Sequence, residues 1–165
     1  MKVAYINPFV SAVTRVLDQE AGLVVNRGQI SMTAESVTSE DITVIIGVVG
    51  QVHGVVMYSL SERMAKSIVS AMIGQEVPVF DTMAESAISE LANVITGLAS
   101  ADLEASGFSC RLAPPTLIIG RGVYISTVLI QRLSIPIETT QGTLNISVAL
   151  NENPAAVQGG DAEAD

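Results

Sequence analysis

Cysteine and histidine are scarce in this sequence, which has one of each, Cys110 and His53, among 165 residues. A single thiol has no partner for an internal disulfide. Structural zinc sites commonly use four Cys or His ligands, and these two side chains cannot supply them. We therefore predict that the chain holds no metal and no cofactor of its own. Cys110 is expected to be a structural residue and His53 a solvated residue of a hairpin turn.

Basic residues are also few: eight Lys and Arg stand against seventeen Asp and Glu, for a net charge of −9. This balance argues against a nucleic acid or an anionic membrane as a partner. No basic residue lies between Lys66 and Arg111, a stretch that carries several acids. A partner of this region is expected to offer a cation. The alternative is that the acids only keep an apolar protein in solution.

Long hydrophobic runs are missing as well. The longest strongly apolar stretch, residues 42–50, is far shorter than the roughly 20 residues that span a bilayer. The start of the chain lacks the apolar core of a signal peptide. We therefore expect a cytoplasmic protein without a membrane partner. The length fits one domain, and 48% hydrophobic against 15% charged residues predicts a surface partly covered by another subunit.

Residues 81–107 carry the pattern of a two-faced helix. One stripe is apolar at helical spacing and consists of Ile88, Leu91, Ala92, Ile95, Leu98 and Ala99. The opposite stripe is polar and small and consists of Ser86, Ser89, Glu90, Asn93, Gly97 and Ser100. An ordinary solvated face mixes Lys, Arg and Glu, whereas this one joins a single carboxylate and a single amide to very small neighbours. The pattern indicates a face that a second molecule can approach closely.

The rest of the chain alternates between helix and strand signals. Two further helices are predicted, one that Asn7 caps and Gly22 ends, and one over Glu62–Ile73. The predicted strands are 29–34, a hairpin of 42–49 and 54–60 turning near Gly50 and Gln51, 110–119 interrupted by proline, 123–135 ending at Pro136, and 144–150. Residues 151–165 are expected to form a disordered acidic tail.

An internal repeat is indicated by two matches of spacing. Residues Ser11, Arg15, Asp18 and Gly22 have the same spacing as Ser86, Glu90, Asn93 and Gly97, 75 residues later. The segment 55–60 also parallels 145–150. A duplication with halves of about 1–75 and 76–150 explains both matches. A chance match remains the alternative for the helices, because any amphipathic helix offers such a stripe.

The spacing of Ser86, Glu90 and Asn93, with Pro114 and Pro115 downstream, resembles that of the CheC/CheX/FliY chemotaxis phosphatases. The opening residues 7–9 and the segments 114–120 and 142–148 resemble that family too, so the likeness covers most of 1–150. It implies an α+β domain with a pseudo-two-fold duplication, in which two long helices and a shorter one pack on a largely antiparallel sheet. It also implies one or two active helices per chain.

The resemblance implies a function for the polar stripe. The chain would dephosphorylate the aspartyl phosphate of a CheY-like receiver domain, with Mg²⁺ bound in the receiver and not in this chain. Asn93 would position the attacking water, because an amide both accepts and donates hydrogen bonds. Glu90 would pair with the receiver's lysine, while Ser86, Ser89 and Gly97 would contact the partner.

The residues of the first helix favour a CheX-type member, which has a single active helix. Arg15 and Asp18 stand where the chemistry would need a Glu and an Asn. The resemblance to CheX-type members also implies a homodimer that is paired through sheet edges. The alternative function is a non-catalytic binding module of the same fold, as in flagellar switch proteins. The sequence leaves open which receiver is the substrate and whether the pathway is chemotaxis.

Overall fold

The computed structural model describes residues 3–33, 37–38, 40–127 and 130–157. Its helices are α1 (Ile6–Ala21), α2 (Glu62–Ile73), α3 (Thr82–Ala105) and the single turn α4 (Pro154–Val157), with a 3-10 turn at Val3–Tyr5. Its strands are β1 (Asn26–Arg27), β2 (Ser31–Thr33), β3 (Val37–Thr38), β4 (Ile42–Gly50), β5 (Val52–Leu60), β6 (Cys110–Leu112), β7 (Thr116–Ile119), β8 (Tyr124–Ile125), β9 (Arg132–Thr139) and β10 (Gly142–Glu152). The predicted α+β class is confirmed.

Local sequence signals set the helix ends. Gly22 ends α1 in the left-handed conformation at φ 61°, where its N–H donates to the carbonyl of Asp18. The start of α1 was predicted wrongly: Asn7 lies inside the first turn, because the 3-10 turn runs directly into the helix through Tyr5. The predicted bounds of α2 are confirmed, and the Ser61 hydroxyl caps it by accepting from the N–H of Met64 at 3.1 Å.

The order of the strands across the main sheet supports the duplication. The order is β1 and β2, then β9, β10, β5, β4, and finally β6 and β7, with every pair antiparallel. The two halves occupy equivalent positions in this order, with β5 of the first half and β10 of the second half side by side at the centre. The short edge strands of each half pair with a long strand of the other half. A separate ribbon joins β3 to β8.

The helices cover one face of this sheet and build the core with it. Alternate residues of β4, among them Val44, Ile46 and Val48, are buried, as β9 buries Leu133 and Ile135. The helices α1 and α3 pack against each other across that face, and α2 contacts both. None of the helices in the described part of the chain is both long and apolar enough to cross a membrane.

The predicted strand that ends at Pro136 was wrong at both ends. The strand β9 begins at Arg132 and continues through Pro136 to Thr139, while β8 is separate. Proline is tolerated there because the neighbouring edge is interrupted between β1 and β2, and the carbonyl of Pro136 accepts from Gly28 at 2.8 Å on that side. The missing N–H therefore faces a gap in the ladder. Residues 128 and 129, which belonged to the same prediction, lie outside the described residues.

The predicted disorder of residues 151–157 was also wrong. The strand β10 continues to Glu152, because its last residues pair with the start of β5. Beyond it, the N–H of Asn153 donates to the carbonyl of Gln51 at 2.7 Å, and α4 follows. His53 lies in β5 and not in the hairpin turn as predicted, and its side chain is half-buried. Residues 158–165, and the end of the predicted strand 29–34, lie outside the described residues.

Candidate functional site

Helix α3 is the element that positions the candidate site. It runs for 24 residues from Thr82, and the carboxylate of Asp81 caps it by accepting from the N–H of Ala84 at 3.0 Å. Glu85 lies in the first turn, where a negative charge is favourable to the helix dipole. The residues of the predicted apolar stripe are buried, apart from Leu98, which is half-buried. The helix is therefore fixed on the sheet by its inner face.

The predicted site residues lie together on the outer side of α3. Ser86, Glu90 and Gly97 are exposed, and Ser89 and Asn93 are half-buried. Glu90 and Asn93 are three residues apart, a spacing that brings Cβ atoms to within about 5–6 Å of each other on a helix. The five residues thus form one continuous surface, which we call the α3 face.

The side chains of Glu90 and Asn93 have no partner within the protein as far as it is described. No hydrogen bond or ion pair joins either side chain to another residue of the ranges given above. A carboxylate and an amide that the fold does not use are available to a second molecule.

Gly97 has no packing reason to be glycine. A Cβ added there would meet no atom within 4 Å, and the residue lies in the middle of a helix. Glycine costs a helix interior about 0.5–1 kcal/mol relative to alanine. The fold of this chain gains nothing from it.

Two linked, buried hydrogen bonds connect α3 to the sheet beneath its inner face. The hydroxyl of Thr96 donates to the carbonyl of Ala92 at 2.7 Å, so the hydroxyl of Tyr58 on β5 donates to Thr96, at 2.8 Å. Both side chains are buried, and burial raises the pKa of Tyr58 well above its ordinary value. Ala92 directly precedes Asn93 in the helix. This chain of bonds therefore ties the site to the centre of the sheet.

Sequence reasoning missed four side chains near the site. Tyr58 and Thr96 are 38 residues apart, so no local pattern pairs them. Met83 and Val94 are exposed apolar residues of α3, seven residues before and four after Glu90. Their helical spacing from Glu90 was the available signal, because residues at those intervals share a face.

The equivalent surface of α1 carries different chemistry. Ser11, Arg15 and Asp18 are exposed and line an open groove together with residues 23–25. Arg15 and Asp18 have the spacing of Glu90 and Asn93, but a guanidinium and a carboxylate stand where α3 has a carboxylate and an amide. Cys110 is half-buried, and its Sγ lies 3.2 Å from the Oγ of Ser100 on α3. Within the described residues, no three His, Cys, Asp or Glu side chains are grouped to hold a metal ion.

Comparison with known proteins assigns the chain to a class. The family model described as chemotaxis phosphatase CheX matches residues 42–138. A Thermotoga maritima protein described as CheY-P phosphatase CheX is 30% identical over 128 residues, which cover 77% of this chain and 83% of that protein. These matches include the second half of the chain, where α3 lies.

Solved structures agree with the sequence comparisons. The chemotaxis protein CheX of Desulfovibrio desulfuricans superposes with a TM-score of 0.82 at 27% identity, over 92% of this chain and 100% of that one. CheX of Borrelia burgdorferi, solved as a CheX–CheY–BeF3–Mg complex, gives a TM-score of 0.77 at 25% identity over 92% and 100% of the two chains. The fold is that of the CheC-like and CheX proteins. This chain belongs to the CheX family.

Proposed function

We propose that this chain is a phosphatase that hydrolyses the aspartyl phosphate of a CheY-like receiver domain. The observation that carries the proposal is the unpartnered pair Glu90 and Asn93 on the exposed α3 face. Membership of the CheX family supports it, as does the relative described as a CheY-P phosphatase. The Borrelia burgdorferi CheX–CheY complex supports the choice of receiver.

Asn93 is proposed to place the attacking water. Its amide oxygen accepts a hydrogen bond from the water while its N–H donates to a phosphoryl oxygen. The water oxygen forms the new bond to phosphorus, the bond from phosphorus to the aspartyl oxygen breaks, and the carboxylate leaves with its electron pair. The protons of the water end on inorganic phosphate and solvent. The gain comes from orientation, and a 100-fold acceleration corresponds to about 2.7 kcal/mol.

Glu90 is proposed to fix the position of the receiver. Its exposed carboxylate would pair with the lysine beside the receiver's phosphate, a charge-assisted contact. Ser86 and Ser89 add small polar contacts, and Gly97 lets the receiver approach the helix backbone. Mg²⁺ would be bound by the receiver. This division gives Glu90 a role in binding and Asn93 a role in the chemical step.

The alternative is a module that binds a receiver without hydrolysis. The presence of both Glu90 and Asn93 favours the enzyme, because a scaffold has no need for a water-positioning amide. Phosphate release from phosphorylated CheY-like receivers of the same organism separates the two functions. The enzyme is supported if catalytic amounts of the chain accelerate release. Stoichiometric binding with an unchanged rate of release would favour the module.

We also propose that the chain is a homodimer paired through sheet edges. The apolar composition, 48% hydrophobic residues, supports a covered surface. Light scattering at micromolar concentration is expected to give about twice the 17.2 kDa mass of the chain. A mass near that of a single chain would contradict the dimer.

A further inference from the structure

Three exposed apolar side chains from three different segments meet beside the N-terminal end of α3. Ile73 ends α2, Val79 lies in the following loop and Met83 lies in the first turn of α3. They are 39%, 64% and 43% exposed and line one shallow recess. We call it the N-terminal recess. A cluster of this kind leaves apolar area in water that a partner can cover.

The loop that forms the recess is held in place. Val77 is buried, and its N–H donates to the hydroxyl of Ser70 on α2 at 3.0 Å. The ammonium of Lys66 donates to the carbonyl of Pro78 at 3.3 Å. Asp81 then caps α3. Val79 is thus presented outward by a fixed backbone, so little ordering entropy is lost when a partner binds.

The recess is continuous with the α3 face. Met83 precedes Glu90 by seven residues, which is two helical turns or roughly 10.5 Å along the axis. The exposed Val94 continues the same side one turn beyond Glu90. A single rigid partner seated on Glu90 and Asn93 therefore also reaches the recess.

The rim of the recess is acidic. Glu76 and Asp81 border it, and both are exposed. The Lys66 ammonium lies nearby at the carbonyl of Pro78, but it pairs with Glu62 at 3.4 Å, and no ion pair within the described residues joins it to Glu76 or Asp81. The rim therefore complements a partner that places a basic side chain next to an apolar one.

We infer that the N-terminal recess is a second contact for the receiver, one that takes an apolar side chain with a basic neighbour from the receiver surface around the phosphorylated aspartate. The inference rests on the proposed function, because continuity with Glu90 and Asn93 identifies the occupant. Met83 lies ten residues before Asn93, which is nearly three turns or roughly 15 Å along the helix axis. The recess therefore contributes to receiver affinity and choice and leaves the chemical step unchanged.

The test replaces the apolar surface by polar groups of nearly the same shape and the same charge. The double variant Val79→Thr with Met83→Gln is compared with a control, Val24→Thr with Val49→Thr. Val24 and Val49 are 76% and 64% exposed, and neither lines the recess. Both proteins are assayed for phosphate release from a phosphorylated receiver and for binding of the receiver activated with BeF3 and Mg²⁺.

We expect the recess variant to raise KM, and to weaken binding, by about tenfold, with kcat unchanged within about twofold. The control variant should behave as the wild type. Equal KM values for recess variant and control, or a loss confined to kcat, would overturn the inference. So would a recess variant whose oligomeric mass changes while its KM does not, because the recess would then bind a second copy of this chain. A wild-type chain that neither binds nor dephosphorylates a receiver would instead refute the proposed function itself.

Discussion

At the scale of single residues, the α3 face contains groups that the fold of this chain does not need. Glu90 and Asn93 have no partner among the described residues, and Gly97 weakens the helix without filling a tight space. Residues of this kind are usually retained for a second molecule, because they cost stability or contribute none. These three residues are therefore the ones to which the proposed function assigns contact with the receiver.

Gly97→Leu is expected to separate stability from function. Leucine is a strong helix former and the position has free space, so the free energy of unfolding should rise by about 0.5–1 kcal/mol. The same side chain should block close docking and reduce receiver binding at least tenfold. Urea denaturation and a binding titration measure the two effects. A variant that binds the receiver as well as the wild type would show that the partner does not approach the helix at this position.

At the scale of elements, the contact of α3 with β5 decides how firmly the site is held. The hydroxyl of Tyr58 is hydrogen-bonded to the hydroxyl of Thr96. The Thr96 hydroxyl in turn donates to the carbonyl of Ala92, the residue before Asn93. Buried hydrogen bonds of this kind contribute about 0.5–1.5 kcal/mol each and fix one arrangement of the elements they join. We regard Tyr58 as a positioning residue.

The raised pKa of Tyr58 gives a pH-dependent signature. The unfolded tyrosine ionises near pH 10.0, whereas the folded one stays neutral to higher pH. The unfolded state therefore loses its proton first, so the stability from this group is complete below pH 10.0 and falls as the pH rises further. Tyr58→Phe should flatten this decline in thermal unfolding measured from pH 9 to about pH 11.5. A decline of undiminished slope in the variant would contradict the assignment to Tyr58.

Some features of the helices and strands could be predicted from the sequence, and others could not. The bounds of α2 and the end of α1 were predictable, because Ser61, Gly74 and Gly22 are local signals of helix ends. The course of β9 through Pro136 was not, since it depends on a gap in a neighbouring edge. The same holds for the recess beside α3, which joins residues that only the fold brings together. The placement of Glu90 and Asn93 on one side of α3 followed from helical spacing alone.

At the scale of the whole molecule, the two halves share one strand order but differ in the residues on the exposed sides of α1 and α3. The sheet order is preserved when the halves are exchanged, and α1 and α3 pack side by side. Arg15 and Asp18 stand at the positions of Glu90 and Asn93. A carboxylate at position 18 would repel a phosphoryl group, and a guanidinium at position 15 would repel the receiver's lysine. The proposed mechanism therefore assigns catalysis to the half that contains α3.

The double variant Arg15→Ala with Asp18→Ala is therefore expected to keep its turnover per subunit. Both residues are exposed and line only the open groove on α1, so folding should be unaffected as well. Phosphate release per subunit measures the first expectation and circular dichroism the second. If the folded double variant lost most of its activity, catalysis could not be assigned to α3 alone.

The most direct test of the proposed mechanism is the rate of receiver dephosphorylation by Asn93→Ala, measured beside its affinity for the receiver activated with BeF3 and Mg²⁺. Glu90→Ala serves as the comparison. We predict that Asn93→Ala loses the accelerated release, about 100-fold or more, and keeps its affinity within about threefold, whereas Glu90→Ala loses affinity as well. Near-normal phosphate release by Asn93→Ala would contradict the account.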